Sequence, residues 1–298
     1  MGTIKISSEQ VARRISCMLG ISPEMIYNIY DIKAGMTNQS FAFTVDNKKY
    51  ILRTPCKETK DLINRDHEYS VYKALGMHGV SDEVIYFNTK TGEKITTFIE
   101  EAHTLDIHNH NELNLCMQRL KEFHNLHISV SHTFDLRERL VYYESLRGQV
   151  SAYADYDETR QHVLGLLSYI ESLPIEYTLC HIDAVCDNFL IDKHRTVYII
   201  DFEYAGMQDP DLDIAMFCVY SGLSRHEVDR IISLYHGCHV SRELVYKIYS
   251  YIAIAGLIWS NWCEVKEGLA VRTNRYALSQ YNCAKQFYHI VRSEFLMK

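Results

Sequence analysis

The chain has 298 residues, of which 47% are apolar and 23% charged, with four prolines and a net charge of −7. That length and apolar content are enough for a sizeable core in two lobes, and they exclude a disordered chain. The negative balance argues against nucleic acid as a partner.

Residues 1–19 carry Lys5, Glu9, Arg13 and Arg14 among their apolar positions, which argues against a signal peptide. Ser7, with Gln10 three residues on, predicts a capping box for a helix through about Met18. Strands are expected at 27–33 and 41–45, where Phe41, Phe43 and Val45 alternate as one half-buried face. Asp46-Asn47 turns the chain into a third strand that ends in "YILR" at Arg53. The connection "AGMTNQS" (34–40) has one glycine and small hydroxylated residues, so its backbone N–H groups could lie over phosphates. Thr37, Asn38 and Ser40 are the candidates there, although such residues also simply make turns. Arg53 can grip phosphate oxygens bidentately. The helical stretch "TKDLINRDHEYSVYKALGMHG" (59–79) puts Leu62, Tyr69, Tyr72 and Leu75 on one face; Glu68 borders it, while Asp61 and Asp66 point elsewhere. Strands at 83–87 and 94–99 bracket a Thr91-Gly92 turn, and the chain leaves the sheet through 100–105.

Beyond that crossing the spacing turns helical, at 115–128, 137–146, 160–173, 212–220, 226–235, 242–265 and 274–295. His124 and His127 lie three apart on the first of these. No third ligand sits at a matching spacing, so they read as packing histidines and not a metal site. The nine cysteines are scattered, with no C-x-x-C pair, and read as reduced thiols. No uncharged apolar run approaches a membrane span, so a cytoplasmic protein with no membrane partner is expected.

One segment breaks the helical pattern: "TLCHIDAVCDNFLIDKHRTVYIIDFEYAG" (178–206). Its apolar runs Phe189-Leu190-Ile191 and Val197-Tyr198-Ile199-Ile200 flank the polar Lys193-His194-Arg195-Thr196, which predicts a hairpin with a four-residue loop. Pairing Asp192 with Val197 sets Asn188 opposite Asp201, roughly 5 Å apart at their β-carbons. A carboxamide and a carboxylate that close make an oxygen-rich site for a hard cation such as Mg²⁺. Asp183 lies on the loop entering the hairpin. A small antiparallel sheet followed by helices around this hairpin is an α+β architecture, with lobes expected at 1–100 and 101–298.

His181-x-Asp183-x-x-x-x-Asn188, followed by Ile200-Asp201-Phe202-Glu203, is similar to the catalytic and metal-binding loops of the protein-kinase-like phosphotransferases. His181 replaces the usual start of the protein-kinase loop, and Glu203 stands where those enzymes carry the glycine of Asp-Phe-Gly. Both departures resemble the small-molecule branch of aminoglycoside, choline and ethanolamine kinases. "AGMTNQSF", "LINR", "CHIDAVCDNF", "IDFEYAGMQDP" and "IWSNW" look like the bacterial choline kinases that supply phosphocholine for cell-surface decoration. The likeness covers nearly the whole chain. Val185-Cys186-Asp187 departs from the family's frequent proline-containing version, which bears on the stiffness of the loop.

The resemblance implies a two-lobed protein-kinase-like fold with ATP as co-substrate and Mg²⁺ as cofactor. By carry-over, Asp183 orients the substrate hydroxyl as base. Asn188 and Asp201 complete the catalytic set and bind Mg²⁺, with Glu203 as a further ligand or water-holder. Asp213, the last residue of Gln208-Asp209-Pro210-Asp211-Leu212-Asp213, is expected to be structural. Arg53 is expected on the nucleotide phosphates, with Glu68 as its ion-pair partner. Residues 97–101 are the expected hinge, with Thr97, Phe98 and Ile99 along the adenine.

Charge and aromatics bear on the substrate. No Lys or Arg falls between Thr196 and Ser224, whereas Asp201, Glu203, Asp209, Asp211 and Asp213 all do, and such a field favours a cationic substrate. Trp259 and Trp262, the only tryptophans, lie three apart on a helix. Indole faces are the best side chains for a quaternary ammonium, although the same spacing also suits a core. Tyr276 is the candidate third wall, and Tyr204, Glu203 and Asp183 complete the expected substrate residues. The sequence thus reads as a choline kinase making phosphocholine. Ethanolamine, another amino alcohol or an aminoglycoside would keep the chemistry, and a catalytically silent choline-binding protein on the same fold is the remaining alternative.

Overall fold

The structure, a computed structural model, describes residues 7–32, 38–56, 62–76, 78–267 and 274–296. Helix α1 (Ser8–Leu19) starts at the expected box: the Gln10 N–H donates to Ser7 Oγ at 3.3 Å, and the Ser7 N–H donates to Gln10 Oε1 at 2.9 Å. Its Val11 and Ile15 pack with Phe41, Phe43, Leu52 and Ile95 into a small core on one face of the first sheet. That sheet comprises β1 (Tyr27–Ile32), β2 (Asn38–Val45), β3 (Lys48–Pro55), β4 (Val84–Phe87) and β5 (Lys94–Thr97). It is antiparallel, in the order β1-β2-β3-β5-β4. Asp46 and Asn47 both adopt positive φ, 48° and 61°, as a two-residue hairpin turn requires. Helix α2 (Arg65–Leu75) is capped by the Asn64 side chain and turns Glu68, Val71, Tyr72 and Leu75 inward.

The chain crosses through β6 (His103–Thr104) into α3 (His110–His124), α4 (Leu136–Arg147), α5 (Tyr156–Glu171) and β7 (Thr178–Cys180). The hairpin β8 (Phe189–Ile191) and β9 (Val197–Ile199) follows, then β10 (Gly206–Gln208), α6 (Pro210–Tyr220), α7 (Arg225–His236), α8 (Arg242–Glu267) and α9 (Arg275–Val291). The α+β architecture is as the sequence predicts: a small antiparallel sheet, then helices around a hairpin. Its larger core runs from α2 through α9, with α8 buried at its centre. Strand β6 adds to the hairpin as β6-β8-β9, and β7 pairs with β10. Strands of two or three residues carry too few side chains for an alternation to show, so these three were not foreseen. No helix among the described residues is long and apolar enough to cross a membrane.

The hairpin register differs from the expected one by a residue. Phe189 faces Ile199, Leu190 faces Tyr198 and Ile191 faces Val197, so Asn188 lies across from Ile200 and not Asp201. The turn decides this. Asp192 accepts the His194 and Thr196 N–H groups at 2.9 and 2.8 Å, and Arg195 takes a left-handed φ of 64°, which shortens the connection to three residues. A one-residue slip exchanges the faces of a strand. Asp201 escapes that rule because it lies beyond β9, where a φ of 70° redirects the backbone.

Candidate active site

The loop from β7 to β8 is held from below by a buried carboxylate. Asp213 on α6 accepts the N–H groups of His181 and Ile182, each at 2.7 Å, and His124 Nε2 at 2.9 Å. Because that nitrogen faces a carboxylate it carries the proton, and His124 Nδ1 accepts from the Tyr235 hydroxyl at 2.6 Å. Both nitrogens of His124 are therefore engaged within the core, while exposed His127 lies past the end of α3. Ile182 sits at φ 68°, a conformation that β-branched residues rarely adopt, and the paired bonds to Asp213 hold it there. His181 Nε2 donates to the Ile200 carbonyl at 2.8 Å, tying the loop to the far side of the hairpin.

Asp183 stands at the open end of this loop. Asn188 Nδ2 donates to its carbonyl at 2.9 Å and to its carboxylate at 3.1 Å, so the amide spends its donors on Asp183. Burial and the charges of Asp201 and Glu203 push the Asp183 carboxyl well above the ordinary range, against the opposing effects of Tyr220 and Asn188. Burial also resists the charge on Asp201, but Arg53 and Lys94 outweigh it and hold that carboxyl low. Glu203 is pushed up, by burial and then by Asp201 and Glu68. Oxygens of Glu68, Asp201 and Glu203 lie within 4.8 Å of one another. Adjacent carboxylates that resist joint ionisation fit a hard divalent cation.

Cations from the first sheet and α2 balance these acids. Arg53 pairs with Asp201, and Lys94 lies 3.6 Å from the same oxygen. Arg65 Nη1 reaches Glu68 at 2.6 Å and Glu203 at 3.2 Å. The expected Arg53–Glu68 pair is not formed. Lys94, directly across from Arg53 in the β3–β5 ladder, takes Glu68 Oε1 at 2.5 Å and leaves Arg53 to Asp201. Asn38 Nδ2 donates to Glu203 Oε2 at 3.1 Å, so the start of β2 is joined to the acidic loop; Ser40 is buried two residues on. Thr37 lies outside the described residues. In the hinge, the Thr97 and Phe98 N–H groups donate to the carbonyls of Glu83 (2.9 Å) and Lys49 (3.1 Å), and Ile99 follows.

The tryptophans meet beside this loop. Trp259 and Trp262 lie 6.0 Å apart at 74°, and Tyr204 and Tyr220 contact Trp259 at 5.2 and 5.3 Å. Trp262 Nε1 donates to the Tyr204 hydroxyl at 3.0 Å, and Trp259 Nε1 to Met216 Sδ at 2.9 Å. The Lys266 ammonium lies over the Trp262 ring, 4.7 Å from its centre. Burial raises Tyr143, Tyr220 and Tyr276, and the charge of Asp183 adds to all three, so the aromatic group lies within Coulomb range of the Asp183 carboxyl.

The sequence model of choline/ethanolamine kinases matches residues 29–229. The chain belongs to that family. It is 27% identical over 264 residues to Protein LicA of Haemophilus influenzae, covering 84% of this chain and 77% of that one. The crystal structure of choline kinase LicA from Streptococcus pneumoniae is similar to it with a TM-score of 0.79 at 28% identity, covering 94% of this chain and 98% of that one. A structure of LicA in complex with AMP gives a TM-score of 0.80 at 28% identity, covering 94% and 97%. An aminoglycoside phosphotransferase, at 14% identity and a TM-score of 0.68, shares the fold alone. The protein is thus an ATP-using kinase of the choline/ethanolamine kinase family with the two-lobed protein-kinase-like fold.

Four residues that contact the candidate site were given no role by sequence reasoning: Arg65, Lys94, Tyr143 and Tyr220. Lys94 gave no signal, since it opens the strand Lys-Ile-Thr-Thr, in which three of four residues are polar. Tyr143 and Tyr220 had none, because each converges on Trp259 from a separate helix.

Proposed function

We propose that this kinase transfers the γ-phosphoryl group of ATP to the hydroxyl of choline, giving phosphocholine. The observation that carries the choice of substrate is the aromatic group within Coulomb range of Asp183, where an ammonium, that of Lys266, already lies on an indole face. A quaternary ammonium held by Trp259, Trp262, Tyr204 and Tyr276, with Glu203 and Asp183 setting a negative field, turns its hydroxyl toward Asp183.

Asp183, with its raised proton affinity, accepts the hydroxyl proton, and the Asn188 amide keeps its carboxylate in place. Asn188, Asp201 and Glu203 would hold Mg²⁺, which when bound neutralises charge on the phosphate oxygens. Arg53 grips the phosphates, Thr37, Asn38 and Ser40 cover them, and Glu68 fixes α2 behind. Because the Thr97 and Phe98 N–H groups are engaged in the sheet, adenine meets the backbone of Ile99 and the hinge carbonyls. The nucleotide lies between residues 1–100 and 101–298. The kinase works in the cytoplasm, where ATP is, with neither nucleic acid nor membrane as a partner.

The test is turnover of choline, ethanolamine and kanamycin at matched ATP and Mg²⁺. Choline should give the highest kcat/KM. A higher value for either competitor reassigns the substrate, and choline binding with no ATP consumption leaves a silent binding protein.

A further inference from the structure

Lys94 opens β5 with its side chain only 3% exposed. Lysines are almost never that deep unless paired. Its ammonium lies 2.5 Å from Glu68 Oε1, donates to the Tyr72 hydroxyl at 3.1 Å and sits 4.6 Å from the centre of the Tyr72 ring. It also lies 3.6 Å from Asp201 Oδ1, the oxygen that Arg53 contacts. Glu68 and Tyr72 are one turn apart on α2, whereas Asp201 follows β9. One ammonium therefore touches both halves of the site.

We propose that Lys94 is a positioning residue for the nucleotide: as the permanent counter-charge of Glu68 and Asp201, it leaves Arg53 free to exchange Asp201 for phosphate. This rests on the ATP-dependent reading above. Two cations face the same Asp201 oxygen, so when Arg53 leaves for phosphate Lys94 still lies beside that oxygen. Lys94 is locked by Glu68 and Tyr72. Arg53 is the more exposed of the two, at 18%, and its planar fork matches phosphate geometry. Glu68 needs nothing from Arg53, because Arg65 and Lys94 already occupy its two oxygens. With Lys94 removed, Arg53 becomes the main counter-charge of Asp201 and is held away from the nucleotide.

A purely structural lysine makes a different prediction, since a buried ion pair can often be replaced as a unit without loss. The experiment uses the full chain as wild type, Lys94→Gln and the double variant Lys94→Met with Glu68→Gln. It measures melting, calorimetric affinity for ADP with Mg²⁺ in the absence of choline, and KM for ATP and for choline. The double variant removes both charges of the pair and should melt within about 2 °C of wild type, roughly 1 kcal/mol for a chain of this length. Both variants should bind ADP about tenfold more weakly or worse, with KM for choline changed no more than about twofold, a separation of roughly 1.4 kcal/mol in nucleotide binding alone. Lys94→Gln, which can still bond Tyr72, carries the test if the double variant does not fold. A folded variant of either kind that binds ADP within about twofold of wild type overturns the proposal, and so do ADP and choline affinities that fall together with melting. A wild type that binds no ADP sinks the nucleotide reading and this proposal together. One that binds ADP and leaves choline untouched sinks the substrate assignment only.

Discussion

Asp183 is partly exposed at the end of a loop whose other bonds run through its neighbours, so its removal should leave the fold almost intact. Asp183→Ala is expected to lower kcat by about 10²–10⁴-fold, the usual scale for a lost general base, with melting near wild type. Asp201→Asn should lower turnover as well and raise the Mg²⁺ requirement, because one anionic ligand is gone. Turnover measured against Mg²⁺ concentration checks both, and an Asp183→Ala protein that stays active with unchanged metal dependence removes the catalytic assignment. The tryptophans need a finer experiment. Each is at most 5% exposed with its N–H bonded, so truncation to alanine should cost about 3–5 kcal/mol of stability. It should also cost about thirtyfold in choline affinity, from a cation–π contact of roughly 2 kcal/mol. Trp262→Phe separates the two effects. It gives up the bond to Tyr204, about 1 kcal/mol, and keeps a ring face for the ammonium. Choline and ADP binding, measured on the same folded samples, should show choline weakened least in the phenylalanine variant and ADP unmoved throughout. A large melting drop in the alanine variants with choline affinity intact would make the tryptophans mere core.

The aromatic wall depends on how closely α8 approaches α9. A β-carbon at Gly256 would come within 2.6 Å of the Gln280 carbonyl oxygen and 2.8 Å of the Ala284 nitrogen, both backbone atoms. Gly256→Ala should therefore force the two helices apart at a cost of about 1–3 kcal/mol. Trp259 lies one turn further along α8, so KM for choline should rise while KM for ATP holds. An unchanged melting temperature would mean that the helices are not so close. The same scale shows where sequence patterns stop. The capping box of α1 and the Asp46-Asn47 turn were legible because each is settled by residues two or three apart. The hairpin register was not: the polar run 193–196 suits a three- or four-residue connection alike, and the Asp192 side chain chose between them.

Over the whole molecule, apolar packing of α2, ion pairs and ring contacts join α2 and the first sheet to the helical part. His67 on α2 stacks on His132 with ring centres 3.9 Å apart, and His132 Nε2 donates to the Ala205 carbonyl at 3.0 Å. His67 is exposed, and partial desolvation holds it below its ordinary value; the charges of His132 and Arg139 add to that, and Asp66 opposes. A histidine whose folded-state pKa is depressed contributes stability that is complete above the unfolded value of about 6.5 and is lost as pH falls through the folded value. Between about pH 7.5 and 5.5 the wild type should lose melting temperature faster than His67→Gln, and their difference should shrink. Parallel pH profiles for the two proteins would show that the stack is not sensed.

Residue identity and short spacing were sufficient to group the proposed catalytic residues. Asp183, Asn188, Asp201 and Glu203 fall within one loop and one hairpin, where chain connectivity alone brings them near each other. Only the tertiary structure decided which cation meets which acid. Lys94 and Glu68 are 26 residues apart, Arg65 and Glu203 are 138 apart, and neither separation leaves a pattern in the chain. Coulomb attraction in a buried site depends on distances of a few ångströms. Those distances exist only once β3, β5 and α2 have packed against the loop after β9, so the pairing of Lys94 with Glu68 and of Arg53 with Asp201 is a property of the fold.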